Sequence, residues 1–266
     1  MKNPYYIIEP KGKKVPIVIS VPHCGLDIPK ELQDDYIDSQ LDSLDDADWF
    51  VHDLYNFASE LGITVIYAKY HRWLIDLNRD VRSVPLYNDG RLITGLCSTT
   101  DFFGNPIYKE GKAPDQNEID RRLNSYFWPY YAKVESLLEE CKLEFEEVLL
   151  WDAHSIRKLV PTIQKEAFPD MILGNDNLTT ASQNIIDVAF NELSNGEFQI
   201  NHNKPFKGGH ITRYFGKPND NVNALQLEMN KVIYMDDSET KFNNERAEKV
   251  RNVLKPVFEK LISTLI

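Results

Sequence analysis

Short, continuously apolar runs alternate along the chain with longer stretches whose apolar residues recur at helical spacing. Val15–Val21 (VPIVISV) is β-branched and almost uninterrupted, as expected of a strand covered on both faces. Leu41 to Leu61 has helical periodicity and is stopped by Gly62. Thr64–Ala68 and Trp73–Leu77 read as two further strands. A polar connection with Gly and Pro follows from Val81 to Ala113, a length typical of lids and binding loops. Asp115 and Glu118 stand in capping-box spacing at the start of the next helix. One face of that helix carries Ile119, Leu123, Phe127, Tyr130, Val134, Leu137 and Cys141, and Pro129 should kink or split it. Glu147–Trp151 is a strand leading into Asp152-Ala153-His154-Ser155. Met171–Leu173 and Phe198–Ile200 are short strands flanking a helix from about Thr180 to Leu193. Asn223–Met229 is a strand, and Glu239 to the C-terminus a long amphipathic helix interrupted near Pro256. Strands alternating with helices predict an α/β fold of three layers (α/β/α) around a central mixed, mostly parallel sheet. The pattern is expected to form a single domain over residues 1–266.

Charge narrows the function. The chain has 30 Lys and Arg against 41 Asp and Glu, a net −11, which disfavours nucleic acid and anionic membrane surfaces. No apolar run approaches the roughly 18–20 residues that span a bilayer, and the first residues lack the core of a secretory signal. The three cysteines, Cys24, Cys97 and Cys141, are odd in number and far apart, as in a reducing cytoplasm. Cys141 closes an apolar stripe and reads as a buried structural thiol.

The candidate chemistry begins with two histidines placed just after strands, His23 and His154. Ligands bind at the carboxyl ends of strands in open α/β sheets, so both could face one site. In the helix expected from Leu41, the inward stripe Leu41, Leu44, Asp48, Val51, Tyr55, Ala58 contains one carboxylate. A buried Asp48 needs a partner or a metal. Asp46 and Asp27 remain alternative acids. Two histidines and a carboxylate are the usual protein ligands of a hydrolytic zinc site. Asn78 and Arg79 stand at the end of Trp73–Leu77, with Arg79 suited to a bidentate grip on an anion. Asp76 beside it reads as a local ion-pair partner. Arg213, after the Gly208-Gly209 pair, is a second anion clamp. Gln226 and Glu228 share one face of the last strand, which offers Glu228 as a general base. Cys24 as a nucleophile is disfavoured, because its side chain would diverge from that of adjacent His23 and nothing marks a third group orienting the base.

In order along the chain, VPHCG (21–25), DAD-W (46–49), IDLNR (75–79), WDAHS (151–155), PFKGGHITRYFG (205–216) and ALQLEM (224–229) resemble the N-formylglutamate amidohydrolase family over roughly residues 15 to 235. The resemblance implies a zinc carboxypeptidase-like and aspartoacylase-like fold. It also implies hydrolysis of an anionic N-acyl amino acid, typically N-formyl-L-glutamate to formate and glutamate in histidine breakdown. On it, His23, Asp48 and His154 look like the ligands of one Zn2+, Glu228 the general base, and Asp152 a group orienting a ligand histidine. Asn78 and Arg79 look like the carboxylate grip, with Arg72 and Arg213 candidates for the oxyanion or a second carboxylate. Cys24, His52 and His210 depart from the family's commoner residues, and Leu173 to Ser182 keeps only part of its Gly-Thr-Ser region. A carboxypeptidase or deacylase with another acyl group, and a noncatalytic binding protein on the same fold, are the competing readings.

Overall fold

The computed structural model of the chain describes residues 3–82, 84–86, 90–91 and 93–266. Seven strands form one sheet: β1 (Tyr5–Ile8), β2 (Ile17–Val21), β3 (Thr64–Ala68), β4 (Val148–Ile156), β5 (Met171–Gly174), β6 (Ile200–His202) and β7 (Val222–Asn230). Their order is β1-β3-β2-β4-β7-β5-β6. β1 and β5 run antiparallel to β3 and β7, and the other neighbours are parallel. The sheet is thus mixed and mostly parallel, as the alternation of elements predicts.

Period-two alternation divides the central strands between two cores. Ile17, Ile19 and Val21 of β2, with Leu149, Trp151 and Ala153 of β4, pack on the face covered by the helices Gln183–Ser194 and Asn244–Leu265. Val18, Val148, Leu150 and Ala224 face the helix Trp128–Lys142. Fully burying one such aliphatic side chain contributes about 1.5–3 kcal/mol, so both faces of β2 and β4 help hold the sheet centre rigid.

Three expectations change. The helix from Leu41 to Leu61 is broken: a helix Asp38–Ser43 ends at Leu44 in the left-handed region (φ 44°), and irregular chain runs to Phe50 (φ 65°). A short helix Val51–Leu54 and a 3-10 segment Asn56–Leu61 follow. Gly62 does end it, at φ 83°. Trp73–Leu77 is not a strand. Its backbone groups are claimed piecemeal: Trp73 O by Tyr36 and Tyr108 hydroxyls, Leu74 O by Arg122, Leu77 O by Tyr131, while Asp76 N donates to Leu96 O. Pro129 does mark a division of its helix: a π-helical turn Leu123–Phe127 separates Gln116–Arg122 from Trp128–Lys142, in whose first turn Pro129 lies. Pro256 lies inside an unbroken 22-residue helix. Leu254, Val257, Phe258 and Leu261 are buried around it, and their packing offsets the lost hydrogen bond.

The described residues between Val81 and Ala113 contain no helix or strand, in keeping with a binding connection. Residues 83, 87–89 and 92 of that stretch lie outside the described ones. No helix among the described residues is long and apolar enough to cross a membrane.

His71, ahead of the irregular stretch, is fully buried, and its Nδ1 accepts from Trp73 N at 3.2 Å. Burial, reinforced by the neighbouring Arg72 charge, pushes its imidazole down to about 3. A histidine held neutral contributes stability that is complete above its unfolded pKa near 6.5 and is lost as pH falls below it. In His71→Asn, which keeps an acceptor for Trp73 N, the fall in unfolding free energy between pH 7 and pH 5 should shrink by about 2 kcal/mol. Urea titrations with chelator present measure this. Parallel pH dependence in the two proteins would mean that His71 is protonated in the folded state.

Candidate active site

The parity that divides β4 between two cores also builds the site. Leu150, Asp152 and His154 share one face of β4, and Ala224, Gln226 and Glu228 share the same face of β7. The register pairs Leu150 with Ala224, Asp152 with Gln226 and His154 with Glu228. That face is therefore apolar at its base and polar toward the carboxyl ends. His23 arrives from the neighbouring strand, two residues beyond the end of β2.

Asp48 enters from the irregular chain between the broken helices, and its N–H donates to His23 O at 2.9 Å. Its Oδ2 stands 3.1 Å from His154 Nδ1 and 3.7 Å from His23 Nδ1, and accepts from Ser155 N at 3.2 Å. All three residues are at most 2% exposed. The two rings lie 4.8 Å apart, inclined at 55°. Burial alone would raise the Asp48 carboxyl, but the hydrogen bond with His154 and the charge of His154 and His23 hold it below the usual carboxylate range.

Both imidazoles turn Nδ1 inward and Nε2 toward a carboxylate. His23 Nε2 is 2.8 Å from Asp76 Oδ1, and His154 Nε2 is 3.1 Å from Asp152 Oδ2. A carboxylate behind an imidazole fixes its tautomer and leaves the other nitrogen's lone pair available. His23 Nδ1 is buried with no hydrogen-bond partner. One donor atom from each of His23, Asp48 and His154 lies within 4.8 Å of the others. An orphaned imidazole nitrogen aimed at a second imidazole and an ionised carboxylate fits a metal cation.

The two other acids considered are placed elsewhere. Asp46 is buried, with its oxygens accepting from Trp73 Nε1 at 2.8 Å and Phe102 N at 3.1 Å. Asp27 has an exposed side chain, 3.8 Å from Lys69.

Asp76 is more than the local ion-pair partner its position suggests. Beyond holding His23, it accepts from Arg72 at 2.7 Å and lies 3.7 Å from Arg79. Its signal in the sequence is an acid between Ile75 and Leu77, where an apolar residue would be expected. Arg72 sits 4.0 Å from Asp48, with its guanidinium 4.7 Å above the Phe102 ring. Arg79 donates to Thr94 O, Thr94 Oγ1 and Asn78 O.

Asn78 Oδ1 accepts from Ile211 N at 2.8 Å, and its Nδ2 is 3.1 Å from His154 Nε2. A Cβ on Gly209 would stand 2.1 Å from that Nδ2, so only glycine leaves room for Asn78. Gly209 N donates to Gln226 Oε1 at 2.7 Å, which turns the Gln226 amide nitrogen toward Glu228 Oε2, 3.3 Å away. Glu228 is partly open to the pocket, and the packing around it pushes its carboxyl up to about 8.

One pocket joins His23, Asp48, His154, Arg72, Asn78, Arg79 and Glu228, with an apolar wall that includes Phe102, Ile156, Ile163 and Phe206. Arg213 does not line it; its guanidinium donates to Gly208 O and pairs with Asp176 at 3.3 Å.

Known proteins share the fold and much of the sequence. The fold is shared with a crystal structure of N-formylglutamate amidohydrolase from Ralstonia eutropha JMP134, with a TM-score of 0.83, 24% identity and 98% of each chain covered. It is shared too with a gene product of Agrobacterium tumefaciens, at a TM-score of 0.77 and 14% identity over 98% of this chain and 96% of the other. The N-formylglutamate deformylase of Pseudomonas putida is 35% identical over 260 residues, 94% of this chain and 93% of the relative. That of Pseudomonas aeruginosa is 36% identical over 256 residues, 95% of each. The model of the N-formylglutamate amidohydrolase family matches residues 15–235. The chain belongs to that family.

Proposed function

We propose that this protein is a zinc-dependent amidohydrolase that cleaves N-formyl-L-glutamate to formate and L-glutamate. The observation that carries the reading is the convergence of His23 Nδ1, His154 Nδ1 and the Asp48 carboxylate at the base of a pocket that also holds arginines and Glu228. The names of the curated relatives support the substrate.

Tetrahedral bonds of about 2.0–2.1 Å would separate two ligand atoms by about 3.3 Å. The 3.1 and 3.7 Å separations here bracket that value. A zinc ion held by His23, Asp48 and His154 would supply Lewis acidity, polarising the amide carbonyl and acidifying a water.

The chain's own groups do the rest. Asp76 and Asp152 keep the imidazoles in the ligating tautomer. Glu228 takes the proton of the water that attacks the formyl carbon, then gives it to the amine as the C–N bond breaks. A carboxylate facing the same pocket as the proposed ligands can serve in both transfers. Arg72 neutralises the oxygen on which charge develops. Asn78 and Arg79 grip a substrate carboxylate and set the amide over the base. A dianionic substrate approaching a chain of net charge −11 needs such local cations. The expected location is the cytoplasm.

Metal analysis of dialysed wild-type and His154→Ala protein tests the first step. About one zinc per chain is expected in the wild type and a loss in the variant. No zinc in either, even after reconstitution, would favour a noncatalytic anion-binding protein. Glu228→Gln should keep its zinc and lose roughly a hundred- to ten-thousand-fold in kcat for formate release. Retained turnover there would remove Glu228 from the proton path. Gly209→Ala should raise KM more than it lowers kcat, because the new methyl displaces Asn78. Unchanged KM would mean that Asn78 does not contact substrate.

A further inference from the structure

Asp48 stands on chain that no ladder holds. Its segment begins at Leu44 and ends at Phe50, both in the left-handed region, with no helix or strand between them. The Asp48 N–H is bound to His23 O, which leaves the carboxylate end to be fixed by other means.

The anchors come from the end of β7, which closes in a 3-10 turn, Lys231–Ile233, followed by Tyr234. Lys231 Nζ donates to Asp45 O at 3.3 Å and lies 5.1 Å over the Trp49 ring. Tyr234 is fully buried in the core that contains Trp151 and Ala153, and it does not line the pocket. Its hydroxyl donates to Trp49 O at 3.0 Å and is hydrogen-bonded to Ser155 Oγ at 2.7 Å. A hydroxyl can donate and accept together, so one oxygen serves both partners.

Trp49 follows Asp48 in the chain, and Ser155 follows His154. Ser155 also gives its N–H to Asp48 Oδ2 at 3.2 Å. These bonds close a ring, from Asp48 through Trp49, the Tyr234 hydroxyl and Ser155 back to the Asp48 carboxylate. Period two sends the Ser155 side chain to the core face while His154 turns to the pocket. The ring therefore ties the Asp48 carboxylate to the strand that carries His154, and with it the 3.1 Å separation of their ligand atoms.

We propose that Tyr234 is a positioning residue for the metal: its hydroxyl, from outside the pocket, holds Asp48 and His154 at the separation a cation needs. This rests on the zinc-hydrolase reading and adds to it the residue that preorganises two of the ligands.

Chelator competition at fixed pH measures the zinc affinity of each folded protein. Tyr234→Phe should bind zinc on the order of ten- to a hundred-fold more weakly, the usual cost of losing a group that orients a metal ligand. Ser155→Ala keeps the N–H to Asp48 but opens the ring, and should also weaken zinc. The double variant should lose no more than the weaker-binding single variant, since either change breaks the same ring. Tyr55→Phe is the control. It removes another fully buried hydroxyl of the same core, the acceptor of Trp151 Nε1 at 3.0 Å. That variant should lose stability in urea while its zinc affinity stays at the wild-type value. A Tyr234→Phe or Ser155→Ala protein that binds zinc like the wild type would overturn the assignment. So would losses that add in the double variant, or an equal loss in Tyr55→Phe, which would mark a general softening of the core. A wild type that takes up no zinc would overturn the zinc reading itself, and this inference with it.

Discussion

The burial of the Asp48 carboxylate constrains everything around it. A carboxylate only 1% exposed costs several kcal/mol unless charge and hydrogen bonds replace the water it has lost. Here the Ser155 N–H supplies a hydrogen bond, and the neighbouring imidazoles of His154 and His23 supply favourable charge. Each imidazole in turn needs a carboxylate behind it, Asp76 or Asp152, and Asp76 needs Arg72 and Arg79. One buried charge thus propagates outward until it reaches the arginines that line the pocket. The network fixes the site's geometry, and it ties residues from β2, β4, the Asp48 segment and the 70–79 stretch to one another.

The sheet supplies the platform. Because His154 and Glu228 are register partners on adjacent parallel strands, their separation is set by ladder spacing rather than by side-chain flexibility. Gln226, one pleat deeper, joins Glu228 to Gly209 and so to the turn that abuts Asn78. His154 and the proposed base Glu228 therefore share one polar face of the sheet, which His23, Asp48 and Asn78 reach from the chain around it.

Much of this was legible in the residues, for reasons that differ from place to place. Short apolar runs reveal β2 and β4, and the polar residues at their carboxyl ends point to His23 and His154. The Gln226–Glu228 alternation was readable because period two survives in a strand with one polar face. Asp48 was identified by a helical phase that the chain does not keep: three acids within Asp45–Asp48 sit where the helix breaks. Its burial was nonetheless correct, since an acid set among apolar residues has few ways to be satisfied. Asp76 reads only as a local ion-pair partner because its principal partner, His23, lies 53 positions away in the chain. The 73–77 stretch looked like a strand by composition, but its carbonyls are taken by Tyr36, Tyr108, Arg122 and Tyr131. No local pattern reports such distant donors. Strand order and the antiparallel β5 are invisible for the same reason.

The pocket's two sides rest on different kinds of backbone. His154 and Glu228 stand on strands whose opposite faces are core, so replacing a neighbour disturbs a ladder and two packed layers at once. Leu86, Arg91, Ile93 and Phe102 belong to a connection whose described residues form only isolated bridges. Substitution is cheap there and expensive on the sheet. Over evolutionary time, a chain built this way can change what it admits while leaving how it cleaves untouched.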